Sequence, residues 1–376
     1  MNAGLQVVDW AAACSGLLRL GLRRARRGLT ILIYHRILPA AEAHKHPLRN
    51  MVVTRECFEQ QVAWLARRMN VVTVRDGLDA LNRGSTGRKP LVALTFDDGY
   101  LDNAQHAAPI LEANGVRGTF FVTTGFLRGE PMWFDRAMLW YGANRGAATG
   151  GAPGAPAHEK APQLSTTNPA FQEARSHLRS IDSWLGWLKA MTRGDRDRVL
   201  HALGATRVPD CCAAMTVDQV VEMSKRGHEI AAHTVHHPIL SNEPPESVRA
   251  ELLDAKREIE TWTGKPVTGF CYPNGLCSES VREACIDAGY TYATTTRRGV
   301  NWAGDDPMML SRRWIAPDST TDAGQHSRDA FAAEVLGLHD FIRDRMGRPR
   351  GPAGSPPKKP VGAATRGPRR AMSKAA

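Results

Sequence analysis

Apolar residues recur along this chain in two rhythms. Short, nearly continuous apolar runs at 29–34, 91–94, 118–123, 228–232, 268–272, 292–295 and 310–315 have the length of buried strands. Between several of them the spacing switches to that of helices. Phe58, Val62, Leu65 and Met69 define one helical face, with Thr54 placed to cap its start. Further helices are expected over 104–113, closed by Asn114-Gly115, and over 217–226, 247–262 and 280–288, with helical material near Trp187 and Leu200. Seven strands in a repeated β–α rhythm predict an α/β fold built on a parallel sheet, either a barrel or an open wound sheet. In such folds chemistry gathers at the carboxyl ends of the strands.

Composition alters this picture mainly at the two ends. The 376 residues carry a net charge of +11. Eight Lys or Arg and no acid fall in 347–376, which leaves +3 for everything before it. That Pro-, Gly- and Ala-rich stretch predicts a disordered basic tail, preceded by a C-terminal helix over 319–346. The stretch 143–170 reads as a mobile insertion within a catalytic unit spanning 29–318. At the start, Asp9 precedes an apolar run, and Arg23, Arg24, Arg26 and Arg27 follow it. This is the reverse of a secretory signal and too short to span a bilayer. Residues 1–28 are therefore expected to form an amphipathic segment, and the protein to be cytoplasmic and peripheral to the inner membrane. Seven cysteines with no Cys-x2-Cys pair argue against a disulfide framework and a thiolate zinc knuckle. The basic tail offers nonspecific charge, a second route to peripheral contact with an anionic membrane, and no specific nucleic-acid partner is expected.

Two motifs carry the chemistry. Thr95-Phe96-Asp97-Asp98-Gly99-Tyr100 follows one strand, and His233-Thr234-Val235-His236-His237 follows another. Adjacent residues of a strand face opposite ways, so Asp97 and Asp98 reach one site only where the strand ends. Gly99 supplies the freedom for that ending. Two neighbouring carboxylates share a site readily when a cation is present, one as its ligand and the other as a base. Spacing alone leaves open which is which. On an extended strand His233 and His237 lie about 13 Å apart, too far to share an ion. A helical turn after the strand is expected to bring them to roughly 5–6 Å and to turn His236 away. An Asp-Asp-Gly or a His-x3-His alone is most often a loop or a solvated helix face. Both at strand ends point to metal-assisted hydrolysis. His35, Tyr272 and Asn274 fall at further strand ends.

With these motifs the chain resembles the polysaccharide deacetylases, the family 4 carbohydrate esterases with the NodB homology domain, and in style their poly-N-acetylglucosamine branch. Residues 95–100 match the first motif, 233–237 the second, and 270–275 resemble the third. The resemblance implies a distorted (β/α)7 barrel and a metal-dependent hydrolase that removes an N-acetyl group from an N-acetylated sugar. It makes Asp97 the general base and Asp98, His233 and His237 the ligands of a divalent ion, zinc first, with cobalt, manganese and nickel as alternatives. It also has Thr234 orient the histidine loop, and has the backbone N–H of Tyr100 hold the oxyanion. Tyr272, Pro273 and Asn274 become substrate-binding positions. Cys271 stands where the family commonly has an Arg that orients the base, so Arg312 and Arg313 are the candidate replacements. For the acid that protonates the leaving amine, His35 is preferred over His339 in the imitation motif at 336–340. The alternatives are hydrolysis of another C–N bond, a formyl amide or cyclic imide, and a catalytically weakened carbohydrate-binding barrel.

Overall fold

In the computed structural model of the chain the described residues are 25–338, apart from 45, 47, 85–86, 150–168, 210, 316–320 and 323–324. Residues 1–24 of the expected amphipathic segment, the basic tail and His339 lie outside them. Ten strands matter for the site: β1 (Leu29–Tyr34), β2 (Arg36–Leu38), β3 (Val52–Thr54), β4 (Asn70–Val72), β5 (Leu91–Phe96), β6 (Thr119–Val122), β7 (Glu229–Ala232), β8 (Gly269–Cys271), β9 (Tyr292–Thr294) and β10 (Arg313–Trp314). The main sheet runs β10-β1-β5-β6-β7-β8-β9, all neighbours parallel. A bridge from Leu310, just before β10, to Thr294 in β9 brings the two edges together. The seven expected strands are therefore the seven staves of a curled parallel α/β barrel. An eighth strand, β4, pairs with the first half of β5, and β2 and β3 form a separate parallel pair.

Strand parity decides what faces the barrel axis. Leu29, Ile31, Leu91, Ala93, Phe121, Ala231, Cys271, Tyr292 and Leu310 form one buried cluster, the interior. Their alternates Leu32, Tyr34, Leu94, Phe96, Phe120, Ile230, Phe270 and Tyr272 pack outward against the helices. Strands buried on both faces read as continuous apolar runs, which is why the sequence shows them as blocks. Gly269 is required in the interior: a Cβ there would stand 2.2 Å from the Tyr292 ring that crosses the barrel floor.

Several helices begin at hydroxyl caps. α1 (Arg55–Arg68) starts at Thr54, whose side chain accepts from the Cys57 N–H. Thr216 and Gln219 form a capping box at the start of α2 (Val217–Lys225). α3 (Pro245–Thr263) ends on Gly264 at φ 64°, the left-handed turn that glycine adopts without penalty. Two expectations change here. Helix Trp133–Thr149 runs into the first residues of the stretch read as an insertion, of which 150–168 lie outside the described residues, and its Ala137, Met138 and Trp140 bury against Trp184 and Leu188 in a second helical core beside the barrel mouth. The segment expected to be helical from 319 instead opens with a two-stranded pair, Thr321–Asp322 with Gln325–His326, before helix Arg328–Val335. No helix among the described residues is long and apolar enough to cross a membrane.

Candidate active site

The inward parity continues past the strand ends and assembles the site. His35, Asp97, His233, Cys271 and Arg312 each sit an even number of residues from an interior position of their own chain segment, so their side chains converge above the barrel core. Asp98 lies one residue further, where the backbone turns to φ 80° and Gly99 to φ 98°, which brings a second carboxylate toward the axis. The same device operates after β7. Thr234 at φ 67° and His237 at φ 54° bend the chain back on itself. The expected helical turn is therefore absent: a left-handed bend, fastened by the His237 N–H donating to Thr234 Oγ1 at 2.9 Å, brings the imidazoles to a ring-centre separation of 4.7 Å. His236 turns aside to Glu251, 2.6 Å from its Nδ1.

Asp98 Oδ1 stands 3.5 Å from Nε2 of both His233 and His237. That is longer than a charge-assisted hydrogen bond and close to the ~3.4 Å edge of a tetrahedron with ~2.1 Å metal bonds. Asp98 Oδ2 and His237 Nδ1 are buried without a hydrogen-bond partner, orphans of the kind a cation and its immediate surroundings would satisfy. His233 Nδ1 faces the Cys271 carbonyl at 2.7 Å, which as a donor leaves Nε2 bare for a metal. Burial, then neighbouring His233, push the His237 pKa down to about 3, so this imidazole is neutral, the form that ligates. Burial works to lower the His233 pKa, but Cys271 and Asp98 raise it well above the ordinary imidazole value, so an ion bound there would displace a proton. Donor set and spacing fit a divalent ion held by Asp98, His233 and His237.

Asp97 is set apart from that group by a guanidinium. Arg312 donates to both its oxygens, Nη1 to Oδ1 at 2.7 Å and Nη2 to Oδ2 at 2.8 Å. Arg312 is itself fixed by Thr95 Oγ1, the Thr295 carbonyl and Cys271 Sγ. Burial works to raise the Asp97 pKa, but Arg312 overrides it and holds the carboxyl well below the usual carboxylate range. His35 Nε2 lies 4.0 Å from Asp97 Oδ2, its ring resting against Trp314 with centres 4.6 Å apart. Burial lowers the pKa of His35 despite the nearby acids. Tyr100 pairs with Ala214 as a non-hydrogen-bonded antiparallel bridge, flanked by Leu101 N to Ala213 O and Met215 N to Gly99 O. In such a pair the N–H points away from the partner strand, so the Tyr100 amide is turned from residue 214.

Arg313 and Tyr272 do not join this assembly. Leu32 of β1, an outward residue, is in register with Arg313, so Arg313 turns outward too and meets Glu334 of the C-terminal helix at 3.7 Å. Tyr272 is fully buried on the outer face, edge-on to Phe270, and presents no surface to a substrate. Pro273 is buried as well, and Asn274 occupies a left-handed turn at φ 55°.

Several neighbours escaped the sequence reading. Trp133 Nε1 donates to the His237 carbonyl at 3.0 Å, and Phe134 lies edge-on to the His237 ring. Asn103 holds the His35 carbonyl at 2.8 Å, and Asp102 pairs with buried Arg36 at 2.7 Å. The available signal was the residue size in β8. Small Gly269 and Cys271 fit a narrow interior, whereas bulky Phe270 and Tyr272 fit the outer face.

Comparison with known proteins agrees with this geometry. The polysaccharide deacetylase family pattern matches residues 84–150 and 189–293. The peptidoglycan-N-acetylglucosamine deacetylase of Bacillus cereus is 30% identical over 127 residues, 34% of this chain, and the match spans 54% of that protein's length, about half of it. The YxkH protein of Bacillus subtilis (strain 168) is 21% identical over 296 residues, 78% of this chain and 74% of its own. In fold, the chain is similar to the Streptococcus pyogenes deacetylase PplD in complex with acetate (TM-score 0.52, 19% identity, 78% of this chain and 94% of that one). It is also similar to IcaB from Ammonifex degensii (TM-score 0.51, 20% identity, 82% and 97%). With the Asp-Asp and His-x3-His motifs inside the matched residues and the barrel shared, the chain belongs to the polysaccharide deacetylase family.

Proposed function

We propose that this protein hydrolyses the N-acetyl group of an N-acetylated sugar polymer or oligomer, with a divalent ion, zinc by preference, held by Asp98, His233 and His237. The observation that carries the reading is the separation of two adjacent carboxylates into different environments. Asp98 joins two imidazoles, while Asp97 is forked by Arg312 and left outside the ligand set. When bound, the ion supplies Lewis acidity and a water acidic enough to be deprotonated near neutral pH. Asp97, kept ionised and oriented by Arg312, receives the proton of the attacking water. The Tyr100 N–H donates to the oxygen on which charge develops. His35, on the Trp314 ring and 4.0 Å from Asp97, takes that proton from Asp97 and passes it to the departing amine, which leaves poorly as an anion. Zinc is favoured because a compact Asp-His-His set with an open position suits a four-coordinate ion.

The test is acetate release from N-acetylglucosamine oligomers by the metal-loaded protein. Asp97→Asn and His233→Ala should each abolish it. Robust turnover by both variants, or none by the wild type across a panel of N-acetylated sugars, refutes the proposal.

A further inference from the structure

Behind the loop that carries Tyr100 lies a second group of metal-ligating side chains, made from two distant parts of the chain. One imidazole nitrogen of His46 and the sulfurs of Cys211 and Cys212 lie within 4.8 Å of one another. His46 and Cys212 are buried, and Cys211 reaches the surface, so the group has an opening to solvent. The two sulfurs are 3.9 Å apart, close to the ~3.8 Å edge of a tetrahedron with ~2.3 Å metal–sulfur bonds and far beyond the ~2.05 Å of a disulfide. We propose that His46, Cys211 and Cys212 form a separate binding site for a thiophilic metal ion of the zinc class, independent of whatever the barrel site hydrolyses.

The surroundings suit such an ion. Two thiolates balance a divalent charge, and the Arg36 guanidinium, 3.9 Å from Cys212 Sγ, favours sulfur in its anionic form. His46 Nε2 accepts from Arg36 Nη1 at 3.2 Å and its Nδ1 meets the Leu48 backbone at 3.2 Å, so an ion taking Nε2 displaces that Arg36 contact, while Arg36 keeps its Asp102 partner. The donor set is soft and sulfur-rich, unlike the Asp-His-His set, so the two sites should differ in metal preference. An ion here also fastens His46 to the extended 211–215 segment, whose Ala213 and Met215 bond Leu101 and Gly99 on either side of Tyr100.

Cadmium reports the site, since a cadmium–thiolate bond gives an ultraviolet charge-transfer band that carboxylate and imidazole ligands do not. Because Cys271 lies beside Asp97 and His233 in the barrel, it is removed together with Asp98. Full-length, reduced, metal-free Asp98→Ala/Cys271→Ser protein is titrated with Cd(II), with and without Cys211→Ser, and melting temperature is followed in parallel. The band should rise to saturation at one equivalent in the double variant, with an increase in melting temperature, and adding Cys211→Ser should abolish both. Cys211→Ser alone, an exposed and conservative change, should keep acetate release. A band of full intensity when Cys211→Ser is added, or none in the double variant, overturns the proposal. Failure of the deacetylase reading appears separately, as absence of acetate release from the wild type while the double variant still shows the band.

Discussion

The Arg312–Asp97 fork is where structure and function can be separated most cleanly. Both side chains are almost wholly buried, and both guanidinium–carboxylate contacts are short, at 2.7 and 2.8 Å. Arg312→Met keeps the volume but leaves a buried carboxylate without its counter-charge, a change worth about 3–5 kcal/mol. At roughly 2 °C per kcal/mol for a chain of this size, melting should fall by about 6–10 °C. Asp97→Asn made in the same background removes the stranded charge and should recover much of that loss, so the pair should couple by more than about 1 kcal/mol in a double-mutant cycle. Arg312→Lys then isolates positioning from charge. A lysine restores one cation but not the planar fork, so stability should return toward wild type while kcat stays down by about 100-fold with KM little changed. The measurements are calorimetric melting and steady-state acetate release. Additive single-variant effects, or wild-type kcat in Arg312→Lys, refute the reasoning.

Other perturbations reach the remaining parts of the site. A chelator should abolish acetate release and zinc restore it, whereas His237→Ala should show no recovery at the same zinc concentration. His35→Gln should slow amide hydrolysis by about 10²–10⁴-fold yet spare an activated aryl acetate, whose leaving group needs no proton; equal losses on both substrates would show that His35 is not the acid. Glu334→Ala removes the buried acid that Arg313 and Arg298 both face and should cost about 3 kcal/mol in denaturant unfolding without altering kcat. Burial pushes the Asp135 carboxyl up to about 7, against Arg36 and the Tyr100 hydroxyl, which lower it. Because this lies above the unfolded value near 3.9, its stability contribution is full below about pH 4 and is lost as pH rises through 7. Asp135→Asn should remove that loss, at most about 4 kcal/mol, and unfolding curves that shift with pH in parallel for both proteins would contradict it.

Much of the site was legible in the sequence because its chemistry sits in short motifs at strand ends. The apolar blocks before Asp97 and His233 are strands buried on both faces, and such strands announce themselves without any knowledge of their neighbours. β4 was missed because Asn70, Val71 and Val72 are too few to show a period. The turn after β7 was misread for a related reason. Spacing shows only that His233 and His237 must approach, and a left-handed bend at Thr234 achieves this as well as a helix.

The sequence by itself determined the strand blocks, the helix caps and the presence of two carboxylates and two imidazoles at carboxyl ends. Only the tertiary structure decided which side chains share the barrel axis. Arg312 and Arg313 are chemically identical neighbours, and the register of β10 against Leu32 sends one to Asp97 and the other to Glu334. A one-residue shift in parity reverses the face of every side chain, and in a two-residue strand no local pattern reveals that parity. The parity of β8, fixed by its pairing with β7 and β9, likewise turns Cys271 toward the fork and Tyr272 away from it, so the partners of the catalytic base are set by pairing across the sheet.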